Sequence, residues 1–452
     1  MQQELSEKLT DEEGPGQLSL KKETFQVEDA LQDTENAQIK YKTMLWWHAT
    51  TLMISETVSL GVLSLPSMFA TIGINLGIFF VLFLGILATY TGYVLGQFKL
   101  KYPFVNTMSD AAFVLWGPTA RNVTGVVQII FLIFCMGSHV LTGGIVFNVI
   151  TEHATCTIIF TLITTIICIS ITLPRTLKFV SYYSVSSCIS IVVAVYLIMI
   201  AVSVGKKPAD ITFGFPKGTS LFRALNSITN IIFAYGGHIV FFNIMSEMKN
   251  PKEYTKALYC LQIFDTFVYL SVVLIYVYVG NEEFKRLSYV TALSAASPLI
   301  RKIAYFISIP TVIVSGVING HVAAKYIMIY LNNKYTNLLH SRNFKSTVIW
   351  VFICSALWFI SWLIAELIPI YNDLLGLIGS LFISWFTYGT GGIFWLHLEK
   401  GKYFVSKKSI CLFIVNTLIV AGSAFVMFFG VYSNIKAAYE NRSVKGVFSC
   451  SE

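Results

Sequence analysis

Two runs combine small, hydroxylated and ring-restricted residues inside apolar surroundings. The first is Ser55-Glu56-Thr57-Val58-Ser59-Leu60-Gly61-Val62-Leu63-Ser64-Leu65-Pro66; the second is Phe233-Ala234-Tyr235-Gly236-Gly237-His238. Ser59 and Gly61 are small, Gly61 tolerates unusual dihedrals, and Pro66 has no backbone donor. The composition of the first run predicts a helix unwound near its middle. Backbone N–H groups at Gly61, Val62 and Leu63 would then be free, at the positive end of a half-helix, to hold a carboxylate. Freed carbonyls near Ser55, and at Phe233 and Ala234 in the second run, would hold an ammonium group or a cation. A zwitterion needs both kinds of partner. Tyr235 and Phe233 place aromatic surface beside Gly236, and the Ser138-His139 pair offers further polar lining.

Ionisable residues inside apolar segments are costly, which makes them candidates for function. Glu56 is expected either to carry a proton or to pair with a buried cation. His139, His238 and His321 can each titrate near neutral pH or serve as buried donors. Asp265 is an isolated acid whose structural and proton-carrying readings stand even. Glu247, in Ser246-Glu247-Met248-Lys249-Asn250-Pro251, is expected to pair with a Lys or Arg, either as a gate or as a surface marker. Lys325 is expected to snorkel to the surface, and Glu366 and Asp373 to be solvated.

These residues sit in a chain of 452 residues that is 55% hydrophobic and 12% charged, with a mean hydropathy of +0.68. Soluble domains carry about 25% charge, so the chain reads as all-α and integral to a membrane. Eleven spans are expected, at 45–70, 74–98, 123–150, 156–173, 179–204, 220–246, 256–279, 300–330, 347–368, 371–397 and 409–432. Most can cross a hydrocarbon core of roughly 30 Å. No segment alternates with period two, which excludes a membrane β-barrel. The two special runs fall near mid-membrane in spans one and six. Irregular backbone at that depth is tolerated only where it is buried in protein or lines a wet cavity. Paired interruptions in corresponding helices point to a transporter's binding site.

Residues 1–44 are polar and predict a disordered cytoplasmic tail; 45–432 form the membrane domain, and 433–452 a short non-cytoplasmic tail. Most of the 32 lysines and arginines, among them Lys40, Lys42, Lys99, Arg175 and Lys249, fall on the side of the N-terminus. By the positive-inside rule that side is cytoplasmic. Asn441-Arg442-Ser443 is then a glycosylation sequon on the correct side. Segment 106–118 either forms a short interfacial helix or is an ordinary loop. The eight cysteines show no metal-ligand spacing. Cys156 and Cys450 lie in polar segments and are not paired without geometry. No catalytic motif, phosphate-binding loop or nucleic-acid face is found, so neither an enzyme nor a nucleic-acid binder is expected, and neither cofactor nor metal.

The chain resembles the amino acid/auxin permease family, and within it the fungal neutral amino-acid permeases of the methyltryptophan-resistance type. The likeness covers about residues 36 to 432. It is carried by Lys40-Tyr41-Lys42-Thr43-Met44 with Trp46-Trp47, Gly61-Val62-Leu63-Ser64-Leu65-Pro66, and Ala88-Thr89-Tyr90-Thr91-Gly92-Tyr93. Met136-Gly137-Ser138-His139, Leu173-Pro174-Arg175-Thr176-Leu177, the Phe233–His238 run and Ser246–Pro251 continue it. The resemblance implies a five-plus-five inverted repeat with helices one and six broken, plus one extra helix. It also implies proton-driven symport of neutral aliphatic and aromatic amino acids at the plasma membrane by alternating access. Some relatives sit on vacuoles or use sodium, and a non-transporting sensor stands as the alternative from another class. The implied partners are an amino acid, a proton and the lipid bilayer; no protein partner is indicated.

Overall fold

The computed structural model describes residues 29–33, 35, 37–204, 211–279, 296–332, 338–368, 371–441 and 450. Among them every regular element is helical, apart from one bridge between Met44 and Met248. In chain order these are α1 (Trp46–Ile72), α2 (Ile74–Lys101), α3 (Met108–Trp116), α4 (Pro118–Thr151) and α5 (Thr157–Thr172). Then come α6 (Leu177–Ser203), α7 (Leu221–Ala234), α8 (His238–Glu247), α9 (Tyr254–Ser271) and α10 (Val273–Val279). The remainder are α11 (Pro298–Asn332), α12 (Phe344–Leu367), α13 (Tyr371–Ile378), a π-helical stretch Gly379–Gly389, α14 (Thr390–Leu398) and α15 (Lys407–Asn441).

The chain is an all-α integral membrane protein. Among the described residues ten helical segments are long and apolar enough to cross a bilayer. The eleventh expected span is α5, with 16 residues, shorter than those ten. A bilayer core asks for about 20 residues of straight helix. The last span runs on to Asn441, past the expected boundary at 432. Arg442 and Ser443 of the sequon lie outside the described residues.

Local chemistry explains where elements start and stop. Thr107 caps α3 by accepting the amide of Asp110 at 3.1 Å, so the 106–118 segment is a helix. Asn343 caps α12 through Ser346 at 2.8 Å. Gly73, at φ +84°, turns the chain between α1 and α2 in a conformation that favours glycine.

Span six is interrupted as expected: Tyr235, Gly236 and Gly237 separate α7 from α8. Span one is not. The helix α1 is continuous from Trp46 to Ile72 through both Gly61 and Pro66. Its hydroxyls turn back onto its own carbonyls, Thr57 to Met53 at 3.0 Å and Ser64 to Gly61 at 2.9 Å. The small residue at Gly61 serves close approach instead. A Cβ added there would lie 2.6 Å from the Cα of Ala234. One at Gly237 would lie 2.6 Å from Thr57 Cγ2. The α1 backbone is thus seated directly against the break in span six.

The expected disordered tail is corrected for its described part. Leu31, Tyr41 and Met44 are buried. Tyr41 donates its hydroxyl to Leu339 O at 3.0 Å, Ile39 N reaches His340 O at 3.2 Å, and Met44 N reaches Glu247 O at 3.0 Å. Asp29 pairs with Lys42 at 2.7 Å and accepts from Asn106 at 2.8 Å. Burial alone would push the Asp29 carboxyl up, but the Lys42 and Asn106 donors and the Lys99 charge hold it below the usual range. This strap ties together the α2–α3 connection, the end of α8 and the segment before α12. Residues 1–28, 34 and 36 lie outside the described residues. At the opposite end, Cys156 and Cys450 form a disulfide, which the polar segments alone did not pair.

Candidate substrate and coupling site

At the junction of α1, α4, α7 and α11 lies a cavity of about 20 Å³. Its walls are Glu56, Thr57 and Leu60 of α1, Cys135 and His139 of α4, Phe233 and Gly236 at the break, Asn319 of α11 and Ile383 of the π-helical stretch. Such a volume holds a single water. An amino acid would need these walls to part.

Glu56 accepts from Asn319 Nδ2 at 3.1 Å, and the same nitrogen donates to Ser315 O at 3.1 Å. Among the described residues no cation pairs with it. His139 Nδ1 lies 2.8 Å from Cys135 O, so in the neutral ring that nitrogen carries the proton. Nε2 is left as an acceptor, 3.4 Å from the Ser59 hydroxyl. The site thus offers one carboxyl, one imidazole and one amide among apolar surfaces.

Four of the expected residues therefore meet at the cavity: Glu56, His139, Phe233 and Gly236. The others are placed elsewhere. The Ser55 hydroxyl bonds Ser187 at 2.7 Å and its carbonyl takes the Ser315 hydroxyl at 2.5 Å. Ser138 is spent on Cys135 O at 2.7 Å. Gly61 abuts Ala234, while Val62 and Leu63 are packed in the core of a continuous helix, so their amides are not the freed donors expected. The Tyr235 hydroxyl donates to Val81 O at 2.9 Å. The Tyr269 hydroxyl lies 2.5 Å from Ala234 O and 3.0 Å from Thr57 O, so one proton bridges the end of α7 and the middle of α1. His238 holds Ala88 O at 2.9 Å, and His321 packs edge-on against Trp350. Both sit away from the cavity.

Thr57, Leu60, Cys135, Asn319 and Ile383 were missed. Asn319 carried a signal, as an amide within an apolar span. Leu60, Cys135 and Ile383 carried none, since apolar positions in a membrane helix look alike until packing orients them.

On the side of the strap, Glu247 forms an ion pair with Lys325. Both are buried, at 0% and 1% exposure, and Glu247 also accepts the Leu177 amide at 2.9 Å. Lys325 Nζ sits 5.2 Å from the Tyr41 ring centre. The lysine is therefore interior and does not snorkel. Glu366 is buried too, accepting from Thr161 at 2.5 Å.

The model of the transmembrane amino acid transporter protein family matches residues 42–436, nearly the whole helical core. The chain belongs to that family. This transporter is similar to the N amino acid transport system protein of Neurospora crassa, at 28% identity over 94% of this chain and 92% of the relative. A transmembrane transporter of Fusarium pseudograminearum is 29% identical over 92% of this chain and 88% of its own length. Amino acid transporter AVT1H of Arabidopsis thaliana matches at 25% over 46% of this chain and 50% of its own length. The protein is thus a multi-pass amino-acid transporter and not an enzyme, and its cavity at the broken span is the candidate place for the amino acid.

The contact between Gly61 and Ala234 is open to test in this transporter. Gly61→Val would push α1 off the break against backbone that cannot yield, and overpacking of this kind costs about 1–3 kcal/mol. Uptake is expected to fall by roughly tenfold or more, with the protein still reaching the membrane. Undiminished uptake would show that the close approach is mere packing.

Proposed function

We propose that this transporter is a proton-coupled symporter of neutral aliphatic and aromatic amino acids, working by alternating access at the plasma membrane with its N-terminus in the cytoplasm. The observation that carries this reading is Glu56, a carboxyl without a cationic partner in a water-sized cavity at the break between α7 and α8. A zwitterion fits the polarity there. The C-terminal end of α7 is the negative end of a helix, and α8 starts at Gly237 without a side-chain cap, presenting a positive end. The substrate ammonium turns to the carbonyls at the α7 end, and its carboxylate to the α8 end, which leaves Glu56 to the proton. Leu60, Phe233 and Ile383 suit an apolar side chain.

The N-inside orientation is supported by the basic residues and by the disulfide. Cys156 and Cys450 lie on the side that orientation makes non-cytoplasmic, where disulfides persist. The strap and the buried Lys325–Glu247 pair then lie on the cytoplasmic side, where they would act as the inner closure. A proton on Glu56 biases the exchange between inward and outward forms, which requires differential affinity for the two.

The test is uptake of labelled neutral amino acids into proteoliposomes in sodium-free buffer, with and without an inward proton gradient. Accumulation that needs the gradient is expected. Accumulation that needs sodium instead would replace the proton reading, and binding without flux would favour a sensor. Fluorescent tagging separates the plasma membrane from the vacuole.

A further inference from the structure

Asp265 stands apart from the cavity, on α9 where it packs against α1. Its side chain is 0% exposed, and neither carboxyl oxygen has a hydrogen-bond partner of ordinary geometry. It lies beside the Thr57 hydroxyl. That hydroxyl gives its proton to Met53 O at 3.0 Å, and it could donate to an ionised Asp265 only by leaving that carbonyl. Only a carboxylic acid, not a carboxylate, can donate to it as it stands.

Among the described residues the surroundings supply no counter-charge. The titratable groups that face Asp265 are Cys188 of α6, Tyr235 at the break and Tyr269 of α9 itself. On α1, Glu56 turns to Asn319. On α2, Tyr90 bonds Asn416, and Lys99 is spent on Pro103 O, Val105 O, Asn106 and Ser246. On α10, Tyr276 takes the Thr212 amide. In the turn before α9, Glu253 pairs with Lys256 at the surface. Burying an unpaired carboxylate is far costlier than burying the acid. A proton is therefore the ligand this closed site accepts.

The position is also a joint. Thr57 lines the cavity, its carbonyl meets the Tyr269 hydroxyl, and that hydroxyl also meets Ala234 O at the end of α7. Ionised Asp265 would draw hydroxyl protons from Thr57 or Tyr269 and so undo the contacts that hold α1 on the break. We propose that Asp265 is a second proton-binding site, separate from Glu56, whose protonation is required for α1 to close on α7 and α9. This rests on the transport reading above, but not on a gradient driving it.

The experiment is counterflow of a labelled neutral amino acid at equal pH on both sides, from about pH 6 to about pH 9. It is run in the otherwise unaltered transporter and in Asp265→Asn. Above its midpoint a single proton's occupancy drops up to about tenfold per pH unit, so counterflow of the unaltered transporter is expected to fall toward the alkaline end. In Asp265→Asn that fall is expected to be at least about twofold smaller. Identical profiles in the two proteins, or a flat profile in the unaltered transporter, would overturn the proposal. If Asp265→Asn is inactive, Asp265→Glu decides. A displaced midpoint supports the site, and an unmoved profile overturns it. Wild-type uptake under a gradient is scored separately, so failure of proton coupling and failure of this second site are told apart.

Discussion

Glu56→Gln is expected to abolish gradient-driven accumulation while leaving the protein folded and counterflow active. Glutamine keeps the shape of glutamate and can still face Asn319, which donates to Glu56 at 3.1 Å. What it cannot do is gain and lose a proton. A gradient of one pH unit supplies about 1.4 kcal/mol per proton, or about tenfold accumulation for each proton carried. The variant is expected to lose all of this and bring internal substrate only to the external level. The paired readout matters, because loss of both accumulation and counterflow would mean that Glu56 holds the substrate ammonium and is not confined to the proton. Wild-type accumulation by the variant would remove Glu56 from the coupling mechanism altogether.

The second large effect is expected at the buried pair. Lys325→Met leaves the Glu247 carboxylate in the interior with the Leu177 amide as its remaining recorded donor. Breaking a buried pair on one side costs about 3–5 kcal/mol, whereas replacing both partners with apolar residues is often neutral. Lys325→Met is therefore expected to lower the melting temperature clearly. Lys325→Met/Glu247→Leu should recover most of the loss, short of about 1 kcal/mol for the orphaned Leu177 amide. If the pair that joins α8 to α11 beside the strap acts as a gate, the double variant is still expected to transport poorly. Thermal melting in detergent and uptake in vesicles check the two halves. A single variant as stable as wild type would show that the pair contributes nothing to the closed form.

The candidate site was half legible. Glu56 and His139 stand out because charge and imidazole are rare in apolar helices, and the structure brings both to the cavity. His238 and His321 stand out for the same reason, yet their rings are turned to Ala88 and Trp350. Type alone does not reveal which way a helix face points. The same ambiguity explains Lys325: a lysine near a span end reads as snorkelling until its partner on another helix is known. Gly61 shows the limit most clearly. Glycine permits both unwinding and close approach, and the Ala234 backbone facing it decides for the second.

By itself the sequence determined the membrane class, the approximate limits of ten of the eleven expected spans, the interruption at Tyr235–Gly237 and the family likeness. These follow from hydropathy summed over some 20 residues and from strings of adjacent residues, both local properties. The tertiary structure alone decided that α1 stays continuous, that part of the N-terminal segment is packed as a strap, that Cys156 bonds Cys450 and that Lys325 meets Glu247. It alone set Asp265 against Thr57 without a counter-charge. Each of these joins residues far apart in the chain, through contacts whose energy exists only after the helices have packed.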